Sequence, residues 1–200
     1  MVRRGWSVDR RILTFLAAAV IAAAAATPAH AAHEHARNGF YIGFGVGGGG
    51  VEEKYKDLED DSGGGGVGNF RIGGALNRTI AIGFEGTGFA RETDVAGGGK
   101  LTRSASLAAL GVTVFPAQGG YYLRGGVGFA RVAAEYREGG LTIEGDENGL
   151  GLLVATGYEF RLTPKFALAP QVEFVGLGID EEVVDSVSYW GLTAQMNWWW

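Results

Sequence analysis

From Phe40 onward, apolar and small or polar residues alternate, the period of an extended strand whose successive side chains face opposite ways. Phe40, Ile42, Phe44 and Val46 share one face, with Tyr41, Gly43, Gly45 and Gly47 on the other. The pattern recurs seven times. Phe70, Ile72 and Leu76 oppose Asn69, Arg71, Gly73 and Ala75, and Ile80, Ile82 and Phe84 oppose Ala81, Gly83, Glu85 and Thr87. Leu110, Val112 and Val114 oppose Ala109, Gly111 and Thr113, though Leu107 breaks ranks onto the small-residue side. Tyr121, Leu123, Val127 and Phe129 oppose Tyr122, Arg124, Gly126 and Gly128, with Arg131 on the apolar parity. Leu152, Val154, Tyr158 and Phe160 oppose Ala155, Gly157, Glu159 and Arg161, and Leu168, Val172 and Phe174 oppose Gln171 and Glu173. In the last segment Trp190, Leu192, Ala194, Met196, Trp198 and Trp200 oppose Tyr189, Gly191, Thr193, Gln195 and Asn197.

The connections also alternate. Polar inserts at Glu52 to Gly66, Arg91 to Lys100, Arg137 to Asn148 and Ile179 to Asp185 are read as long loops, with the glycine runs as their hinges. Asn77-Arg78, Pro116 to Gly119 and Thr163 to Lys165 are read as tight turns. Eight near-ten-residue strands, long loops at one end and short turns at the other predict an all-β fold: an eight-stranded antiparallel up-and-down transmembrane β-barrel.

The charges choose the outward face. Arg71, Glu85, Arg124, Glu159, Arg161 and Glu173 all oppose the large apolar residues. An Arg on the lipid side at the midplane costs about 2–4 kcal/mol, so the apolar face must meet lipid. An eight-stranded lumen is filled by side chains, so these six residues are expected to pair as a charge network inside it. Arg131 requires a place above the hydrocarbon. A soluble strand exposing Trp198, Trp199 and Trp200 would invite aggregation, whereas a membrane barrel uses such residues in its aromatic girdle.

Composition changes the picture in few places. Glycine accounts for 36 of 200 residues, far above the ordinary share of about 7%, and small inward positions suit a narrow barrel. There is no Cys, which excludes disulfides and a lipid-modified cysteine. The formal charge of −5 argues against a nucleic-acid partner. Arg3, Arg4, Arg10 and Arg11 followed by apolar Ile12 to Ala26 and by Ala29-His30-Ala31 have the layout of a cleaved signal peptide over residues 1–31. Its apolar stretch of about 15 residues falls short of the roughly 20 that a spanning helix needs. Residues 32–38 are expected to form a disordered leader and 39–200 the barrel. His33-Glu34-His35 could hold a metal, but no further ligand stands at a useful spacing, so no metal or cofactor is expected.

Gly157-Tyr158-Glu159-Phe160-Arg161-Leu162-Thr163-Pro164, followed by Val172-Glu173-Phe174, resembles the strand–turn–strand motif of the OmpA-like transmembrane domain and of the OmpX/Ail/Lom group. The final strand resembles the C-terminal strand of such barrels, with Trp190, Leu192, Met196, Trp198 and Trp200 standing where the barrel assembly machinery reads an aromatic-ended signal. Relatives usually end in Phe. The resemblance implies a monomeric, non-catalytic protein of the Gram-negative outer membrane, in contact with its lipids and lipopolysaccharide. Its loops would serve envelope integrity, adhesion or contact with a surface ligand. With no peptidoglycan-binding domain after Trp200, cell-wall anchoring is not expected. Barrel hydrolases and acyltransferases need a His as base, and none follows His35. The alternative is a narrow OmpW-like passage of the porin family for a small solute, since true porins need about 16–18 strands.

Overall fold

The computed structural model describes residue 37 and residues 39–55, 61–95, 98–138, 141–179 and 184–200. All of these belong to one unit, Ala32–Trp200. The signal-peptide region, His33-Glu34-His35 and the rest of the leader apart from Arg37 lie outside the described residues.

The strands are β1 (Gly39–Tyr55), β2 (Asp61–Ala75), β3 (Ile80–Val95), β4 (Gly99–Val114), β5 (Tyr121–Glu138), β6 (Leu141–Tyr158), β7 (Phe160–Arg161), β8 (Phe166–Ile179) and β9 (Val184–Trp199). Each of β1 to β5 pairs antiparallel with the strand that follows it, β8 pairs antiparallel with β6, β7 and β9, and β1 with β9. Glu159 interrupts one physical strand between β6 and β7, donating its backbone N–H to Gly120 O at 2.8 Å. The barrel wall therefore has eight strands. It closes where β1 pairs with β9, from Tyr41 opposite Trp199 to Tyr55 opposite Val184. Trp200 extends the seam by donating its N–H to Phe40 O at 2.9 Å.

The tight turns fall at one end. Asn77 Oδ1 accepts from the N–H groups of Thr79 and Ile80, and Thr163 Oγ1 accepts from those of Lys165 and Phe166. Pro116–Gln118 forms a single 3-10 turn.

The opposite end corrects the loop reading. Glu52 to Gly66 is not a long loop, because β1 continues to Tyr55 and β2 begins at Asp61, with Glu52 opposite Ser62 and Gly50 opposite Gly64. Likewise β3 and β4 stay paired to Val95 and Gly99, and β5 and β6 to Glu138 and Leu141. The glycine runs at 47–50 and 63–66 are strand residues, not hinges. Polar side chains ended the apolar alternation, but ladder hydrogen bonds need only backbone groups. The strands of these hairpins run 14 to 18 residues, more than the about 9–11 needed to cross hydrocarbon, so four hairpins stand beyond it.

Outward positions carry Phe44, Val46, Ile82, Phe84, Leu110, Val127, Leu152 and Phe174, all exposed on the outer wall. Near the turns an aromatic band forms through contacts of Phe40 with Trp200, Phe166 with Trp198, and Tyr158 with Phe160.

Candidate functional site: the filled lumen and the outer mouth

The inward face of the wall builds four stacked layers. At the turn end Tyr41, Phe115, Tyr122 and Trp199 pack together, each 3% exposed or less. Trp199 thus plugs the lumen rather than joining Trp198 and Trp200 outside. Arg37, left by the sequence reading in a leader ahead of the barrel, is fully buried here. Its guanidinium lies 3.4 Å from the centre of the Phe115 ring, donates to Gly119 O at 2.8 Å and meets Glu159 at 3.1 Å. A residue ahead of the first alternating segment carries no parity, so nothing in the pattern marked it as an inward one.

The second layer is polar and holds all six charged residues singled out from the sequence. Arg71 is opposite Glu85 in the β2–β3 register, yet each finds a carboxylate or guanidinium further round. Arg124 Nε lies 3.1 Å from Glu85, and Arg71 Nη2 lies 3.6 Å from Glu159. Arg71 Nε also donates to Asn197 Oδ1, and Asn197 Nδ2 donates to Glu159 Oε1. The expected ladder of Arg–carboxylate pairs is incomplete at two places. Glu173 accepts from Thr87, Asn69 and Gln171 at 2.6, 2.9 and 2.6 Å, all neutral donors. Arg161 donates to Pro164 O at 3.0 Å and lies 5.2 Å from the Trp199 ring, with no ion pair to any described carboxylate. Inward glycines make room for this layer. A Cβ on Gly43 would strike Asn197 and come within 2.9 Å of Arg71 Nε, and one on Gly111 would come within 2.9 Å of Glu85.

Above it lies an apolar layer that sequence reasoning missed. Val51, Val67, Phe89, Leu107, Leu153, Val175, Leu177, Val187 and Tyr189 are each 5% exposed or less and form one cluster. Leu107, the residue out of step in its strand, is the signal that could have revealed it: an inward Leu needs apolar company, and Leu153 and Leu177 supply it.

The fourth layer is an ionic latch at the outer mouth. Arg103 on β4 meets both Glu53 on β1, at 3.0 Å, and Asp61 on β2, which Arg91 on β3 also contacts. Burial pushes the Asp61 carboxyl up, but the hydrogen bond and charge of Arg91 and the charge of Arg103 outweigh it and hold the group below its ordinary value. Glu53 and Asp61, both from the first polar insert, are thus held in ion pairs across the mouth.

Charge is sorted along the axis. Of 22 Asp and Glu residues in the chain, all but Asp9, Glu34, Glu85, Glu159 and Glu173 belong to the four inserts and the strand ends flanking them. The cations of those same stretches are Lys54, Lys56, Arg91, Lys100, Arg103, Arg131 and Arg137, so acidic residues outnumber basic ones there. Arg131 does point outward, 61% exposed, and its Nε meets Asp146 at 3.2 Å in a row with Ser106 and Asn148, above the large apolar residues. Among the described residues no group of His, Cys, Asp and Glu is arranged to hold a metal, and no helix is long and apolar enough to cross a membrane.

A closed eight-stranded wall with its apolar side outward is the architecture of bacterial outer-membrane proteins. The chain matches the outer membrane protein beta-barrel domain over residues 15–197. The chain belongs to that family. This places it in the outer membrane of a Gram-negative bacterium, in contact with membrane lipids. No curated protein sequence matches it. Among solved structures it is similar to Ail, the attachment invasion locus protein of Yersinia pestis, in complex with the heparin analogue sucrose octasulfate. The identity is 14% and the TM-score 0.56, over 80% of this chain and 99% of that one. It is similar also to Neisserial surface protein A, at 18% identity and TM-score 0.56, over 82% of this chain and 99% of that one. At such identities these likenesses speak for the fold alone.

Proposed function

We propose that this outer-membrane barrel is non-catalytic and non-conducting, and acts through the hairpins it raises beyond the membrane. The observation that carries this reading is the filled lumen. Two aromatic and apolar layers bracket a hydrogen-bonded charge layer, and the Asp61–Arg103 latch covers the top. A narrow OmpW-like passage would have to break all four layers, so it is the weaker alternative. The chain also lacks any His after His35 to serve as a base. In this reading the protein works as a monomer for envelope integrity, adhesion or surface contact. Arg71, Glu85, Arg124, Glu159, Arg161 and Glu173 serve as its internal scaffold. Trp190, Leu192, Met196, Trp198 and Trp200 form the outward stripe that the barrel assembly machinery reads.

The acidic outer end bears on the partner. Ail is known in complex with a polysulfated sugar, but a polyanion would meet repulsion from the hairpin ends of this chain. The electrostatics favour divalent cations shared with lipopolysaccharide or a basic polypeptide. The test must spare Glu53 and Asp61, which are structural. Replacing only residues 56–60 with an Asn-Gly turn should leave heat-modifiable gel migration intact while raising detergent sensitivity or lowering surface attachment of expressing cells. Unchanged sensitivity and attachment, with the other three hairpin tips trimmed as well, would refute a surface role.

A further inference from the structure

Among the described strand glycines two steric classes stand out. Inward ones are needed: a Cβ on Gly47, Gly73 or Gly128 would come within 2.7 Å of a Cα on the adjoining strand. Six outward ones on β1 to β3 are not. A Cβ on Gly68 or Gly86 would meet nothing within 4 Å, and on Gly48, Gly64, Gly66 or Gly88 only ordinary contacts of 3.5 to 4.0 Å. Glycine weakens a strand interior, and one reason to keep it there is the close approach of something from outside.

Register shows where that approach is shaped. One row across the wall reads Phe70, Gly86, Ala108, Phe129. The next row outward reads Gly68, Gly88, Ser106, Arg131, Asn148. The row below is full-sized: Ile72, Phe84, Leu110, Val127. The result is a groove of about 630 Å³ in the outer wall. Two phenyl rings form its sides, glycine and alanine its floor, and a polar, cationic row its upper edge. Phe70 is braced by Phe44, ring centres 5.2 Å apart, while Phe129 is 77% exposed. Asp146 takes the Nε of Arg131, and no hydrogen bond or ion pair among the described residues engages its two terminal nitrogens.

We infer that this groove is a binding site for one phosphorylated, acylated lipid of the outer leaflet. The first methylenes of an acyl chain lie between Phe70 and Phe129 over Gly86 and Ala108, and a headgroup phosphate meets Arg131. The order of the rows along the membrane normal, apolar then cationic, matches the order of chain and phosphate in such a lipid. A guanidinium edge is also well suited to phosphate oxygens.

The test is native mass spectrometry of the refolded protein in detergent, titrated with bis-phosphorylated lipid A or with the same lipid dephosphorylated. The wild type should retain one lipid A per chain. At Gly86 and Gly68 an added Cβ meets nothing within 4 Å, so Gly86→Leu and Gly68→Leu should occupy the groove, keep heat-modifiable migration and lose at least tenfold in lipid occupancy. Gly86→Ala, milder still, should lose several-fold if the leucine variant fails to fold. Arg131→Gln should weaken the phosphorylated lipid several-fold and leave the dephosphorylated one unchanged. Equal lipid retention by folded Gly86 variants and wild type would overturn the inference. So would an Arg131→Gln loss indifferent to phosphate, or a wild-type dimer without lipid that Gly86→Leu dissolves.

Discussion

Glu159 is the residue on which most of the turn-end lumen depends. Arg37 and Arg71 both reach it, Asn197 donates to it, and it is fully buried. Removing one partner of a buried pair leaves an uncompensated charge and costs about 3–5 kcal/mol. Glu159→Gln should therefore lower the unfolding free energy in urea by about that much, with Asn197→Ala costing less. Arg124 and Glu85 should show a positive coupling energy in a double-mutant cycle, since their 3.1 Å contact is direct. Asp61 gives a pH signature. Its carboxyl is held below the ordinary value, about 3.9, so the latch contributes stability above that range and loses it as pH falls through the lowered folded value. Hydrogen-exchange protection at the β1–β2 mouth, taken relative to intrinsic amide exchange at each pH, should fall on acidification in the wild type. In Asp61→Asn that protection should already be low at neutral pH and change little with acid.

Strand β1 displays how elements were read and where reading stopped. Its outward residues Phe40 to Val46 were legible because lipid demands the same chemistry at every outward position. Its continuation through Gly47 to Tyr55 was not, because beyond the hydrocarbon both faces meet polar surroundings and the alternation of hydrophobicity vanishes while the ladder goes on. Inward glycines of this strand lie almost against β9. Gly47→Val would drive its side chain into Leu192 O and to within 2.7 Å of Thr193 Cα, so it should abolish heat-modifiable migration. The charge layer was legible for the same reason as the lipid face, since ions must avoid the lipid side. Arg37 was hidden because no alternation precedes it. The partnering of Glu173 with neutral donors was hidden because registers across a closed lumen are not written in any one strand.

At the scale of the whole molecule, layering decides behaviour. The apolar layer around Leu107, Leu153 and Leu177 and the aromatic layer around Trp199 pack the lumen on either side of the charge layer, so on the proposed reading planar bilayers should show no unitary conductance above leak. The large inward apolar residues of the upper lumen were the least legible part of the interior. A two-residue period says which side a residue faces but not what waits there. One side of the closed wall meets lipid and the other a packed interior. With no native cysteine, single cysteines from Tyr189 to Asn197 can be spin-labelled in refolded bilayers and their collision with oxygen measured. Oxygen access should be high at 190, 192, 194 and 196 and low at 189, 191, 193, 195 and 197. A flat profile, or one with the opposite phase, would contradict it.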